Sequence, residues 1–282
     1  MTSEGTRSTV VGTSEIALVA DVIEGDPSCT IVLLHGLSQQ RQFWNPVIAR
    51  LTTDALHPRI VTIDLRGHGD SGKPSSGPYD VQTCAHDVLE LLDELRVGAR
   101  VVVGHSWGAS VALVVATEGG RQTSALVAID GGFTRLADLG EREDVRSRLT
   151  PPRLGMPIEQ LFGFISQGEL APWWSEETRA ALLPTFEVDE QGNATSRLGF
   201  DRHLLVLDGL LDFDPTDYLR NVDCPAWFLK CEPLSVFDEP SERDAWQKMS
   251  QESLARCARL VPQARVQRWA GAVHDVPLQW PW

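Results

Sequence analysis

Nothing in this chain approaches the roughly 18 to 20 consecutive apolar residues that a membrane-spanning helix needs. Its first residues, Met1 to Arg7, include no apolar stretch of the kind that opens a secretory signal. A membrane partner is therefore not expected, and a cytoplasmic location is. Basic residues are scarce beside acidic ones: 25 Lys and Arg face 39 Asp and Glu, a formal net charge of -14. Nucleic acid and anionic surfaces reward clustered cations, so neither is expected as a partner. The acidity reads as a contribution to solubility. Cysteines are few and scattered (Cys29, Cys84, Cys224, Cys231 and Cys257), with no C-x-x-C and no zinc-ligand spacing. That pattern points to reduced thiols and implies neither a metal nor a cofactor. Internal repeats and low-complexity tracts are missing as well. The glycine-rich stretch from Asp64 to Gly72 lacks both the lysine and the glycine order of nucleotide-binding loops, and it reads as a tight turn.

What remains is a chain of 282 residues with 42% hydrophobic and 23% charged content, enough for one large core or a core carrying an insertion. Two β-rich pieces, Ser8 to Gly12 and Glu15 to Val22, suggest an edge hairpin. Four continuous apolar runs follow, at Thr30 to Leu34, Arg59 to Ile63, Arg100 to Val103 and Ala125 to Ile129, each the mark of a strand buried on both faces. Between them lie segments with helical apolar spacing, Gln42 to Leu51 and Val81 to Leu95. This alternation predicts an α/β fold: a mostly parallel central sheet with helices on both faces. The rhythm stops between Thr134 and Asp217, where Ile158 to Phe164, Glu176 to Leu183 and His203 to Leu211 read as helices and no buried-strand run appears. It resumes at Ala226 to Lys230, with a helix over 241–260 and a last strand at Arg265 to Trp269. The expected organisation is a first core part over 1–133, a helical insertion over 134–217 and a second core part over 218–282.

In parallel sheets chemistry collects at the carboxyl ends of the strands, where His35, Asp64, Ser106 and Asp130 fall. The most informative of these ends is Gly104-His105-Ser106-Trp107-Gly108, a G-x-S-x-G pattern between a buried strand and a helix-compatible run. A strand-to-helix turn of this kind lifts the serine hydroxyl off the backbone surface and requires small residues on either side.

Three features in order carry a resemblance: His35-Gly36 after the first central strand, the serine pentapeptide after the third, and a late His274 in a short loop. With the D-x-R-G-x-G-x-S turn at Asp64 to Ser71 and the His274-Asp275-Val276-Pro277 loop, the chain resembles the α/β-hydrolase fold superfamily. The likeness is to the branch with a serine nucleophile and a helical cap inserted after strand six, and it covers nearly the whole chain outside the insertion. It implies Ser106 as nucleophile, His274 as base, and an oxyanion hole from the backbone N–H groups of Leu37 and Trp107. The other histidines have milder accounts. His35 and His105 are expected to pack around the site, His68 to lie in a turn, and His57, His86 and His203 to be surface or helix positions.

The triad acid departs from the family's pattern. Its usual turn corresponds here to Lys230-Cys231-Glu232-Pro233-Leu234-Ser235, with Ser235 where an Asp would stand. Asp130, at the end of strand six, is the preferred replacement, from a position that dehalogenase-like members use; Glu232 is the alternative acid. A turn cap before Gly131-Gly132 is the competing account of Asp130. Trp107 is a candidate pocket wall, together with Phe133, whereas Trp173 and Trp174 read as packing between insertion and core. The resemblance also implies a helix after the histidine loop, yet only eight residues follow His274. Either that helix is absent or the sequence is cut, and Trp280 and Trp282 are expected to be exposed.

Function follows as an expectation: a serine hydrolase acting through an acyl-enzyme on an ester, lactone or related acyl bond of a small apolar molecule. Dehalogenase and epoxide-hydrolase relatives of the fold use Asp as nucleophile, which the Ser at position 106 disfavours. The alternatives are a C–C bond hydrolase or an acyltransferase on the same triad, or a non-catalytic ligand-binding protein on this scaffold. Oligomeric state is left open.

Overall fold

The computed structural model describes residues 6–233 and 240–281. Eleven strands are present among them: β1 Thr6–Gly12, β2 Ala17–Ile23, β3 Asp26–Leu34, β4 Pro58–Asp64, β5 Arg100–His105, β6 Thr123–Ile129, β7 Met156–Pro157, β8 Phe186–Val188, β9 Asn193–Ser196, β10 Ala226–Glu232 and β11 Arg265–Ala270. The helices are α1 Asn45–Leu51, α2 Val81–Glu94, α3 Trp107–Glu118, α4 Arg142–Leu149, α5 Ile158–Ile165, α6 Glu176–Leu182, α7 Phe200–Asp212, α8 Thr216–Leu219, α9 Pro240–Leu260 and α10 Val276–Gln279.

Eight strands form one sheet in the order β1-β2-β4-β3-β5-β6-β10-β11. The β1/β2 and β2/β4 pairs are antiparallel and all other neighbours in it are parallel. The expected edge hairpin and parallel centre are therefore both present. Alternation along each strand splits the core in two. Val32, Leu34, Val61, Ile63, Val102, Leu126 and Ala128 pack on one face with α2, α3 and α9. Ile31, Leu33, Ile60, Val103 and Ile129 face the other way, toward Phe43, Trp44 and α1. Runs apolar at every position are what two covered faces require.

The Asp64 turn behaves as the tight turn expected of it. Its carboxylate is fully buried, accepts the backbone N–H of Arg41 (2.7 Å) and Asp70 (2.8 Å), and pairs with the Arg41 guanidinium. A Cβ on Gly69, where φ is +48°, would lie 2.0 Å from that carboxylate, so only glycine fits.

Between β6 and β10 the chain leaves the sheet and builds α4 to α8. Beside the expected helices it forms a small antiparallel sheet ordered β7-β9-β8, which the sequence pattern did not reveal. These strands run two to four residues, begin at a proline-bearing pair or carry polar residues such as Glu187, Asn193 and Thr195, and so offer no apolar run to read. Arg197 reaches Asp70 at 2.7 Å and Arg202 donates to the carbonyls of Pro74 (3.1 Å) and Lys73 (3.2 Å), tying the segment to the core.

After His274 comes the one-turn helix α10, and Trp280 is half-buried with its ring centroid 6.3 Å from that of Trp269. Full exposure of Trp280 is thereby corrected: the turn of α10 folds it back onto β11. Trp282 and Ser235 lie outside the described residues.

Candidate active site

Ser106 stands where β5 ends and α3 begins, with φ 54° and ψ -122°. A non-glycine residue held in this region is strained by roughly 1 to 3 kcal/mol and needs its surroundings to hold it there. The surroundings are tight. A Cβ on Gly104 would meet the Gly108 carbonyl oxygen at 2.2 Å, one on Gly108 the His35 oxygen at 2.2 Å, and one on Gly131 the Ser106 oxygen at 2.0 Å. The Ser106 N–H donates to Ile129 O at 2.8 Å, anchoring the turn to β6.

The loop after β11 brings His274 to this serine. His274 Nε2 lies 3.0 Å from Ser106 Oγ, and His274 Nδ1 lies 2.6 Å from Asp130 Oδ2. Asp130 has φ +49° just beyond β6, and its N–H donates to Leu229 O at 2.7 Å. Its other oxygen, Oδ1, accepts Lys230 Nζ at 2.5 Å and the Cys231 N–H at 3.1 Å. Burial by itself would raise the Asp130 carboxyl, but the His274 hydrogen bond and the Lys230 charge outweigh it and hold the group well below the usual range. For His274, desolvation disfavours the imidazolium, yet the hydrogen bond and charge of Asp130 outweigh it and raise the ring above its ordinary value. An anionic Asp130 accepting from Nδ1–H leaves Nε2 free to accept the Ser106 proton.

Glu232 is elsewhere. Its carboxylate pairs with Arg268 Nε of the adjacent β11 at 2.5 Å. Of the two candidate acids, the fold brings only Asp130 to His274.

Leu37 and Trp107 both line a cavity that Ser106 also lines. Trp107 is the first residue of α3, where the N–H has no intrahelical partner. Leu37 is oriented through its peptide plane, since Gly36 C=O and Leu37 N–H belong to one rigid unit. His35 Nδ1–H donates to that Gly36 oxygen at 2.8 Å, while His35 Nε2 accepts the Leu65 N–H at 3.1 Å. On the next peptide, Ser38 N–H donates to His68 Nε2 at 3.2 Å. Both rings must be neutral to act this way, and burial pushes His35 down to about 4 and His68 well below its ordinary value. His105, also lowered to about 4 by burial, donates from Nε2 to the His274 carbonyl at 2.8 Å. Its ring packs on that of His274 with centroids 4.9 Å apart.

Three contributors were not read from the sequence as site residues. Gln39 accepts the Gly36 N–H (2.9 Å) and donates to Asp275 (2.8 Å), joining the loop after β3 to the histidine loop. Lys230 contacts Asp130 from β10. His203 is a helix position as expected, but not a surface one: the inward face of α7 carries it to within 2.7 Å of Ser38 Oγ. Regular apolar spacing on α7 (His203, Val206, Leu207, Leu211) was the available hint that it points inward.

Two mostly apolar cavities meet at the serine. One, of about 580 Å³, is walled by residues 151–154, Leu182, Phe186 and Phe200. The other, of about 570 Å³, is walled by Trp107, Leu136, Leu139, Leu207, Leu210 and Met249. Both include Leu37, Ser106, His203 and His274. Trp107 thus is a wall as well as a buried packing residue, its ring stacked 5.1 Å from His68. Trp173 and Trp174 pack with Phe162 and Leu170. No cluster of metal-ligating side chains occurs among the described residues, and no helix described is long and apolar enough to cross a membrane.

A model of the alpha/beta hydrolase family matches residues 31–279. A soluble epoxide hydrolase of Corynebacterium sp. is 43% identical over 86 residues, 30% of this chain and 29% of that protein. An sn-1-specific diacylglycerol lipase of Danio rerio is 33% identical over 118 residues, 42% of this chain and 36% of that protein. The chain thus spans about a third of these curated relatives' length. Among solved structures, E-2-(acetamidomethylene)succinate hydrolase superposes with a TM-score of 0.77 at 23% identity, covering 98% of this chain and 95% of that one.

Proposed function

This chain belongs to the alpha/beta hydrolase family, and from that premise we propose that it is a serine hydrolase cleaving an ester, lactone or related acyl bond of a small, largely apolar molecule. The observation that carries the reading is the unbroken chain Ser106 Oγ, His274, Asp130 at 3.0 and 2.6 Å. Ser106 attacks the acyl carbonyl while His274 Nε2 takes its proton, and Asp130 steadies the imidazolium that forms. The N–H groups of Leu37 and Trp107 receive the developing oxyanion; a donor of this kind is worth about 3 kcal/mol of barrier. His274 then protonates the leaving group; in the second half water attacks the acyl carbon as His274 takes its proton, and the Ser106 Oγ–acyl bond breaks as that proton returns to Oγ and the acid leaves. Serine at the turn supports acyl rather than alkyl transfer, because its ester with an acyl group is hydrolysable at the carbonyl carbon.

The segment over 134–217 acts in this reading as a cap, supplying one wall of each cavity. Two apolar cavities meeting at the nucleophile suit a substrate with a sizeable group on each side of the scissile bond.

A serine-directed fluorophosphonate tests the reading directly. Intact mass should show one adduct per chain, absent in Ser106→Ala. A wild-type protein that stays unlabelled under conditions where it is folded refutes it. Turnover in ¹⁸O-water should place the label in the acid product; an unlabelled product joined to an added alcohol would indicate acyl transfer instead.

A further inference from the structure

One side chain touches the relay without belonging to it. Lys230 lies near the end of β10 with its side chain only 10% exposed, and its ammonium is 2.5 Å from Asp130 Oδ1. On its other side the same ammonium sits 4.5 Å from the ring centroid of Trp246 on α9. Asp130 is itself 6% exposed, so carboxylate and ammonium are a desolvated pair rather than a surface contact. The two carboxylate oxygens are therefore divided. Oδ2 takes His274 Nδ1, and Oδ1 takes Lys230 together with the Cys231 N–H.

That division has a geometric and an electrostatic consequence. A carboxylate held at both oxygens is fixed in rotation, which keeps Oδ2 aimed at the imidazole. The positive charge behind Asp130 also offsets part of its field at His274. An isolated buried carboxylate would favour the imidazolium more strongly and leave less neutral base near neutral pH. The remaining charged or titratable groups facing His274 are Asp275 of its own loop, held by Gln39, and the ring of His105 from β5. Glu169 borders the cavity that Lys230 also lines. Glu232, two residues along β10, is occupied by Arg268.

We propose that Lys230 is a positioning residue of this site: it fixes the Asp130 carboxylate for His274 and holds down the basicity that Asp130 confers on that ring. The proposal rests on the serine-hydrolase reading, in which Asp130 is the acid of the relay.

The test compares wild type, Lys230→Met and Lys230→Arg in two measurements. The first is the pH dependence of fluorophosphonate labelling at Ser106; the second is the titration of His274 by histidine-selective NMR. In Lys230→Met both midpoints should move to higher pH by about half a unit or more, and the limiting labelling rate should fall about tenfold through lost orientation. Lys230→Arg should return the midpoint most of the way to wild type. Adding methylammonium to Lys230→Ala should do the same by refilling the vacated place. Circular dichroism keeps folded fractions equal in the comparison. An unmoved midpoint in a folded Lys230→Met protein, with wild type labelling normally, overturns the role of Lys230 alone. Failure of wild type to label at all overturns the serine-hydrolase reading beneath it.

Discussion

Asp130→Asn is the substitution whose outcome is most fully determined by the geometry. An asparagine keeps the size of the side chain but has one acceptor and one donor end. Lys230 Nζ and the Cys231 N–H both donate toward the position of Oδ1, so the amide oxygen will settle there. Its NH2 group is then directed at His274 Nδ1, 2.6 Å from the original oxygen. That ring nitrogen must become an acceptor, which moves the imidazole proton to Nε2, facing Ser106. The base is then protonated at the atom that should take the serine proton. Turnover should fall by ~10⁴, about 5.5 kcal/mol of barrier, while the fold survives. Stability should also drop, by about 3 kcal/mol, because the Lys230 ammonium is left buried without a counter-charge. Pairing the change with Lys230→Met should recover much of that stability and none of the turnover. The assay is the second-order rate of fluorophosphonate labelling beside hydrolysis of a 4-nitrophenyl ester, with thermal melts on each variant. Glu232→Gln, measured alongside, should keep near-wild-type turnover because Glu232 pairs with Arg268. Asp130→Asn within tenfold of wild type, or an equal loss in Glu232→Gln, would refute the reasoning.

Other consequences can be measured just as directly. Ser106→Gly should abolish labelling yet raise stability by about 1 kcal/mol, since glycine relieves the strain at φ 54°; a lower melting temperature would count against strain at this turn. Gly104→Ala should destabilise by several degrees or fail to fold, because its Cβ would lie 2.2 Å from the Gly108 oxygen. An unchanged melt would contradict the close packing of β5 on α3. His274 must be neutral to act as base and its value is raised above 6.5, so the acidic limb of kcat/KM should have its midpoint above pH 6.5. A midpoint below 6 would contradict the effect of Asp130. His35 and His105 are neutral in the fold, with values lowered to about 4. The unfolded chain takes up protons on them from its ordinary value near 6.5 downward, so stability should decline as pH falls from about 6.5 to about 4. Flat thermal melts across that window would rule this out.

The parts legible without coordinates were those whose physics is local. Continuous apolar runs such as Thr30 to Leu34 exist because both sheet faces are covered, and they read as strands at once. Gly104 and Gly108 are required by the closeness of β5, α3 and the chain after β3, and that requirement is written into the pentapeptide. The small sheet of β7, β8 and β9 was hidden because strands of two to four residues that mix apolar and polar side chains are too short to leave a pattern. His203 was read as a surface or helix position and lies on a helix; its inward side stayed hidden, since polarity alone does not tell which face of a helix a histidine occupies.

The sequence by itself determined the α/β architecture, the serine turn and the late histidine, because each is set by neighbours along the chain. Only the tertiary structure shows which carboxylate lies against His274. Asp130, just after β6, and Glu232, at the end of β10, close strands that lie side by side, and the sequence favoured Asp130 only through the family resemblance. Only the approach of the His274 loop to β6, and of Arg268 on β11 to Glu232, separates the carboxylate that meets the imidazole from the one that is neutralised. The same long-range packing puts Lys230 on the far oxygen of Asp130, a contact between residues 100 positions apart.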